Sequence, residues 1–216
     1  MTFPMPGFCP AAVVAAATQG SSLNEIVTAD STSFTFTTLT AGVTADAYPI
    51  IGLMARSASS FDITSVTLGA QPCIELYKQF NGTTALAFFS APRGATGNLV
   101  VTSSATMVRG AACLTPVFNL KSATTPTAVA VNLSDPMNAT ISCEAGGWIG
   151  GLAYNGSTSD SISWTNLTEK FDVRPESVAV LSGASDVFAT AQTNRSITAN
   201  PLNTGSGQIM VLMALR

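Results

Sequence analysis

Apolar and polar positions alternate along much of the chain, and the stretches where alternation stops are short. Ser31–Leu39 reads STSFTFTTL, with Phe34 and Phe36 on one side of an extended backbone. A period of two marks a strand with one buried face. Tyr48–Ser57 (YPIIGLMARS) is a continuous apolar run. Such a run suits a central strand buried on both faces, or a strand with a bulge at Gly52. Asp62–Leu68, Cys73–Phe80 and Thr84–Ala91 come next, and Asn81-Gly82 lies between the last two. Asn-Gly between β-rich runs is a strong hairpin signal. Pro92–Gly97 reads as a loop, and NLVVTSS and MVRGAACLTPVFNL then predict two further strands. Helical periodicity is almost absent.

The second half repeats this order. Ala128–Leu133 follows a turn, and Gly146–Gly156 (GGWIGGLAYNG) matches the earlier apolar run in size and polarity. SISWTNL corresponds to ITSVTL, TEKFDV and ESVAVLSGA to the hairpin strands, and Gly207–Arg216 to MVRGAACLTPVFNL. Corresponding strands lie roughly 92–100 residues apart, the spacing of a duplicated half-domain or domain. The pattern predicts an all-β fold, an antiparallel β-sandwich of jelly-roll-like type with a pseudo-repeated half. Residues 1–20 form an N-terminal arm and first strand, and 21–216 the sandwich, with pseudo-repeats at about 21–120 and 121–216. Two layouts fit: one large two-sheet sandwich, or two tandem sandwiches. The lack of a linker between the halves favours the first. The final strand, QIMVLMAL, is so apolar that it must be central or covered, since an exposed edge of this kind aggregates.

Composition sharpens this picture. Only 10% of the 216 residues are charged and the net charge is −3, against roughly 25% charged residues in an average domain. Ser, Thr and Asn take the outward positions. The nine Lys and Arg residues are scattered, so phosphate-mediated nucleic-acid binding has little support. The start lacks the basic n-region of a secretory signal, and no run approaches the roughly 18 apolar residues of a membrane helix. The expectation is therefore no nucleic acid and no membrane insertion.

Candidate chemistry is sparse. The chain has no His, which removes the commonest general base and the Ser-His-Asp and Cys-His arrangements. Cys9, Cys73, Cys113 and Cys143 are too dispersed for a zinc clip. They read as buried thiols, with a disulfide as the alternative. No nucleotide fingerprint is present, and the glycines of GGWIGG read as sites of close packing. Asp62, Glu75, Glu144, Asp160, Glu169, Asp172 and Glu176 offer carboxylate pairs of the kind a glycosidase needs, but twelve acids in a chain of this length always do. The expectation is a non-enzyme with no catalytic residues, no cofactor and no metal. Trp148 reads as core, whereas Trp164 lies in an alternating strand and is a candidate for glycan stacking. Six N-x-S/T triplets, at Asn81, Asn132, Asn138, Asn155, Asn166 and Asn194, read as turn chemistry in an Asn-rich chain. Thr2–Pro10 carries three prolines and no charge. Proline cannot donate within a sheet, yet Phe3, Met5 and Phe8 need cover. The stretch reads as an arm that docks on a neighbouring subunit, with Cys9 close to the contact, or else packs across its own sandwich.

One resemblance adds to this. ITSVTLGAQPCIELYKQ, LAFFSAP, GNLVVTSS and RGAACLTPVFNL, together with the closing Val211–Arg216, resemble the strand grammar of β-sandwich proteins of tailed bacteriophages and their prophages. Phe88-Phe89 and Gln71 depart from that grammar. The resemblance covers roughly Asp62–Leu120 and the last strand, and it transfers no site residue. It implies a structural protein located in the virion, such as a capsid decoration, head spike, or tail or fibre module. The implied partners are other virion proteins, including further copies of itself. The alternative is a module that binds host-surface glycan.

Overall fold

The computed structural model describes residues 15–39, 43–156, 161–176, 179–203 and 205–216, and the regular elements among them are strands, with no helix. In chain order they are β1 (Thr18–Gln19), β2 (Leu23–Val27), β3 (Ser31–Phe36), β4 (Tyr48–Ser57), β5 (Ile63–Leu68) and β6 (Gln71–Pro72). Next come β7 (Ile74–Asn81), β8 (Thr84–Ser90) and β9 (Leu99–Phe118). The second half contributes β10 (Ala128–Asn132), β11 (Met137–Cys143), β12 (Gly147–Gly156) and β13 (Ile162–Thr165). It ends with β14 (Glu169–Glu176), β15 (Ala179–Phe188), β16 (Gln192–Pro201) and β17 (Ser206–Leu215).

The 20-residue β9 belongs to two layers. Its beginning pairs with β3 and β5, which meet Leu99 through Phe36 and Leu68. Its end pairs with β1 and β2 along one edge and with β4 along the other. Between these parts the ladders shift register near Ser103 and Met107, and Ser57 Oγ donates to Thr106 O at 2.7 Å. The two strands expected here are one strand that bends from an outer layer (β3-β9-β5-β6) into an inner one (β2-β9-β4-β8-β7). The second half has the same plan. Its inner sheet is β10-β17-β12-β15-β14 and its outer sheet β11-β16-β13. There, two separate strands, β16 and β17, take the parts that β9 plays alone.

With the strands of each half renumbered from one, leaving β1 and β6 aside and counting β9 as two strands, the layers read 1-8-3-6-5 and 2-7-4. This is jelly-roll connectivity with the fifth strand moved to the edge of the other layer. The two-residue β6, paired with β5, holds part of the vacated position.

The chain is the all-β antiparallel sandwich its pattern predicts, built in four layers rather than two. Each half has its own core between inner and outer sheet. Phe34, Phe36, Leu53, Val66, Phe89 and Leu99 fill the first, and Met137, Ile149, Ile162, Val180, Ile197 and Leu212 the other. A further core joins the inner sheets face to face, through Ile50, Met54, Phe88, Trp148, Leu152 and Val211 among others. This seam explains the continuous apolar runs. An inner strand has a core on each side, so β4, β8, β12 and β17 have no polar face. Outer strands keep one wet face and therefore alternate. The Asn81-Gly82 hairpin forms as expected, with Gly82 at φ 59°.

Candidate functional site

Phe3, Met5, Phe8 and Cys9 lie outside the described residues. The chain enters the described structure at the end of the seam where β9 and β17 finish. Ala17 N donates to Gly146 O at 2.9 Å, and Thr18 and Gln19 pair with Phe118 and Val117. Gln19 then ties the halves together. Its Oε1 accepts from Trp148 Nε1 at 2.8 Å and from Ser185 Oγ at 2.9 Å, and its Nε2 donates to Ser185 O at 3.3 Å. Trp148 is buried as expected, with its ring over Gly150. Trp164 is partly buried. It covers Gly151, and its Nε1 donates to Ser182 Oγ at 2.8 Å. Its polar edge is thus committed within the molecule.

The carboxylates separate into distinct settings. Lys78 Nζ reaches Asp62 at 2.7 Å and Glu75 at 3.0 Å. The hydrogen bond from Lys78 holds the Asp62 carboxyl below its ordinary range. Glu169 and Asp172 share β14, and burial raises both, with Asp172 charge adding to the effect on Glu169. Asp172 Oδ2 accepts from Ile162 N at 3.1 Å, while buried Oδ1 has no hydrogen-bond partner among the described residues. Asp160 and the Glu176 side chain lie outside the described residues. No three metal-ligating side chains converge among the described residues.

The Asp172 setting gives a signed prediction. A carboxyl whose folded pKa is raised favours folding at pH values below the carboxylate range, and that contribution is lost as pH rises through the folded value. An amide keeps an acceptor for Ile162 N and carries no charge. Asp172→Asn should therefore raise the thermal midpoint at neutral pH, and the gain should shrink on acidification. Melts of both proteins across that range check this, and a gain that grows in acid would reverse the sign.

Cys73, Cys113 and Cys143 are free thiols, as the dispersed spacing suggests. Burial pushes Cys73 and Cys113 up to about 12 and Cys143 up to about 11, far from the thiolate form that nucleophilic chemistry needs. The Asn triplets do not share one setting. Asn166 and Asn194 adopt positive φ, whereas Asn138 lies within β11 and Asn155 within β12, where the Asn155 side chain is fully buried and donates to Asn203 O.

Two features face outward. First, the outer sheets present rows of uncharged side chains. Thr35, Val100 and Thr67 sit side by side across β3, β9 and β5, as do Ser33, Thr102 and Ser65. Asn138, Thr198 and Thr165 form a similar row across β11, β16 and β13. These side chains alternate with core residues such as Phe34, Phe36 and Ile197, so they point to solvent. Second, the far end of the seam opens into a polar cleft of about 400 Å³. Arg56, Asn81, Thr83 and Thr84 line it from the first half, and Tyr154 and Ser206 from the second. Arg56 Nη1 donates to Tyr154 Oη at 3.5 Å, and Asn81 Nδ2 donates to Gln208 O at 2.9 Å. Sequence reasoning missed this cleft, since its lining residues are ordinary turn and strand-end residues far apart in the chain. No family model, curated protein or solved structure matches the chain.

Proposed function

We propose that this protein is a non-enzymatic structural component of a bacteriophage virion, a capsid decoration or other virion surface protein, that acts through protein–protein contacts. The observation that supports this best is the distribution of polarity across the four layers. The facing apolar sides of the inner sheets are buried in joining the two halves, and the outer sheets turn rows of Thr, Ser and Asn outward. Low charge gives weak repulsion between copies, and uncharged hydroxyl faces pack without burying unpaired ions. The phage-like strand grammar agrees with that reading. Repeated copies meeting by symmetry are then the expected mode of assembly. Mass spectrometry of purified particles is the direct test. Abundance in infected-cell lysate with absence from particles would remove the proposal.

The arm gives a second test. Phe3, Met5 and Phe8 each favour burial by roughly 1.5–3 kcal/mol, and their prolines keep them from the middle of a sheet. The folded body retains Ala17, Thr18 and Gln19 as its own attachment. Deleting residues 2–10 is expected to leave a cooperative thermal transition within a few degrees of the parent and to abolish assembly or attachment to particles. Loss of the transition itself would place the arm in its own core.

A further inference from the structure

The four edges of the two inner sheets are not built alike. An open edge presents a row of unpaired main-chain donors and acceptors, and folded chains blunt it with charge, proline or a bulge. β2 carries Glu25, whose carboxylate accepts from Thr38 N at 2.7 Å. β7 carries the Glu75–Lys78 ion pair and a register shift against β8. β14 carries Glu169, Lys170, Asp172, Arg174 and Pro175, and its ladder with β15 shifts register as well. β10, the counterpart of β2 in the second half, has none of these devices. It reads AVAVN, its ladder with β17 runs without a shift, and among the described residues it pairs with no other strand. The nearest charged residues in the chain, Lys121 and Asp135, lie outside the strand. Val129 is 37% exposed, and Leu133, just past the end, 47%.

We propose that this edge pairs with the same edge of a second copy, antiparallel and about a two-fold axis, so that two five-stranded inner sheets become one sheet of ten. The occupant of a sheet edge must itself be an extended strand. Beside AVAVN it must also be uncharged, since a charge there would sit against apolar neighbours. The chain carries such a strand in β10 itself. With the axis at Ala130, Val129 stands opposite the partner subunit's Val131, and Ala128 opposite the partner subunit's Asn132. Directly opposed residues share a face of the sheet. Val131 packs in the core between the halves, whereas Ala128 and Ala130 face the core of the second half. The two Val pairs therefore extend the apolar side of the sheet and cover Val129. No charge meets a like charge, and a net charge of −3 gives weak repulsion between copies. The contact is isologous, so it closes at two copies. Five residues a side make a small interface, and the dimer is therefore a reversible one. This goes beyond the virion reading, because the pairing needs no particle, and its failure would leave the particle test untouched.

Sedimentation velocity of the full-length chain over a dilution series tests this, with hydrogen exchange on the same samples. A monomer–dimer equilibrium is expected, and the amides of Ala128–Asn132 should exchange more slowly as the dimer fills. Val129→Lys gives β10 the charge that the other edges carry. It should raise the dissociation constant at least ~tenfold, and Val129→Glu should do the same. Both should melt near the parent, because the side chain lies at the surface. About the two-fold axis the two 129 positions are diagonal neighbours roughly 7–8 Å apart, within reach of long side chains. An equimolar mixture of the two variants should therefore dimerise again. A parent that stays monomeric throughout the series would overturn the proposal. So would a dimer that protects other amides and leaves Ala128–Asn132 unchanged, a reading that needs no variant. Undiminished dimerisation of both variants would refute the edge, and failure of their mixture to pair would refute the two-fold register.

Discussion

Replacing Trp148 by alanine is expected to lower the unfolding free energy by about 3–5 kcal/mol, the usual loss for a buried Trp cut to Ala. The ring is 2% exposed and belongs to the core that joins the two inner sheets. Truncation leaves a cavity in a seam bounded by two hydrogen-bonded sheets, which cannot close up by moving one side chain. It also removes the donor to Gln19 Oε1, loosening the contact between β1 and the second half. The damage therefore falls on the joint between halves as well as on one core. Chemical denaturation followed by circular dichroism measures it. A loss below about 1 kcal/mol would mean that the seam is plastic, contrary to close-packed interiors.

A companion substitution tests why the neighbouring position is glycine. A Cβ on Gly150 would sit 2.0 Å from the Trp148 ring, far inside contact distance. The backbone cannot retreat, because Gly150 pairs with Ser185 on one side and Met213 on the other. Gly150→Ala should therefore cost about 1–3 kcal/mol or more through overpacking. In the Trp148→Ala background the obstacle is gone, and the same change should cost little. The double variant should thus be clearly more stable than the sum of the single losses predicts, a coupling expected of residues in contact. Strict additivity would show that the glycine is needed for another reason. Gly183 stands in the same relation to Phe171, at 2.1 Å, and its substitution should couple to that ring in the same way.

Which strands could be read from the chain depended on how many faces they bury. Inner strands such as β4 and β17 stand out because both faces are apolar, and β3 because Phe34 and Phe36 alternate with Ser and Thr. By contrast, β11 and β16 (MNATISC and QTNRSITANP) passed unread. They bury only one side in a thin outer layer, and what they bury includes small residues such as Ala199 and Cys143, which leave little hydrophobic contrast. The polar stretch around Ser103–Thr106 looked like a gap between strands. It is instead a bend inside β9, held by Ser57 and Ser103 hydroxyls on main-chain carbonyls.

The sequence by itself determined the all-β class, the hairpin at Asn81-Gly82, the burial of Trp148 and the repeat of one strand order in two halves. Each of these is encoded locally, by side-chain period, turn chemistry, or comparison of one stretch with another. Only the tertiary structure decided that the two repeats stack into four layers, that GGWIGG gives room to aromatic rings, and that a polar cleft opens where the seam ends. A strand apolar on both faces demands two neighbours without naming them. The partner of Leu152 is set by the joint packing of both inner sheets, and Asn81 meets Gln208 across 127 positions of chain. No local period carries such a pairing, because it exists only once both halves have folded and their inner faces have closed on each other.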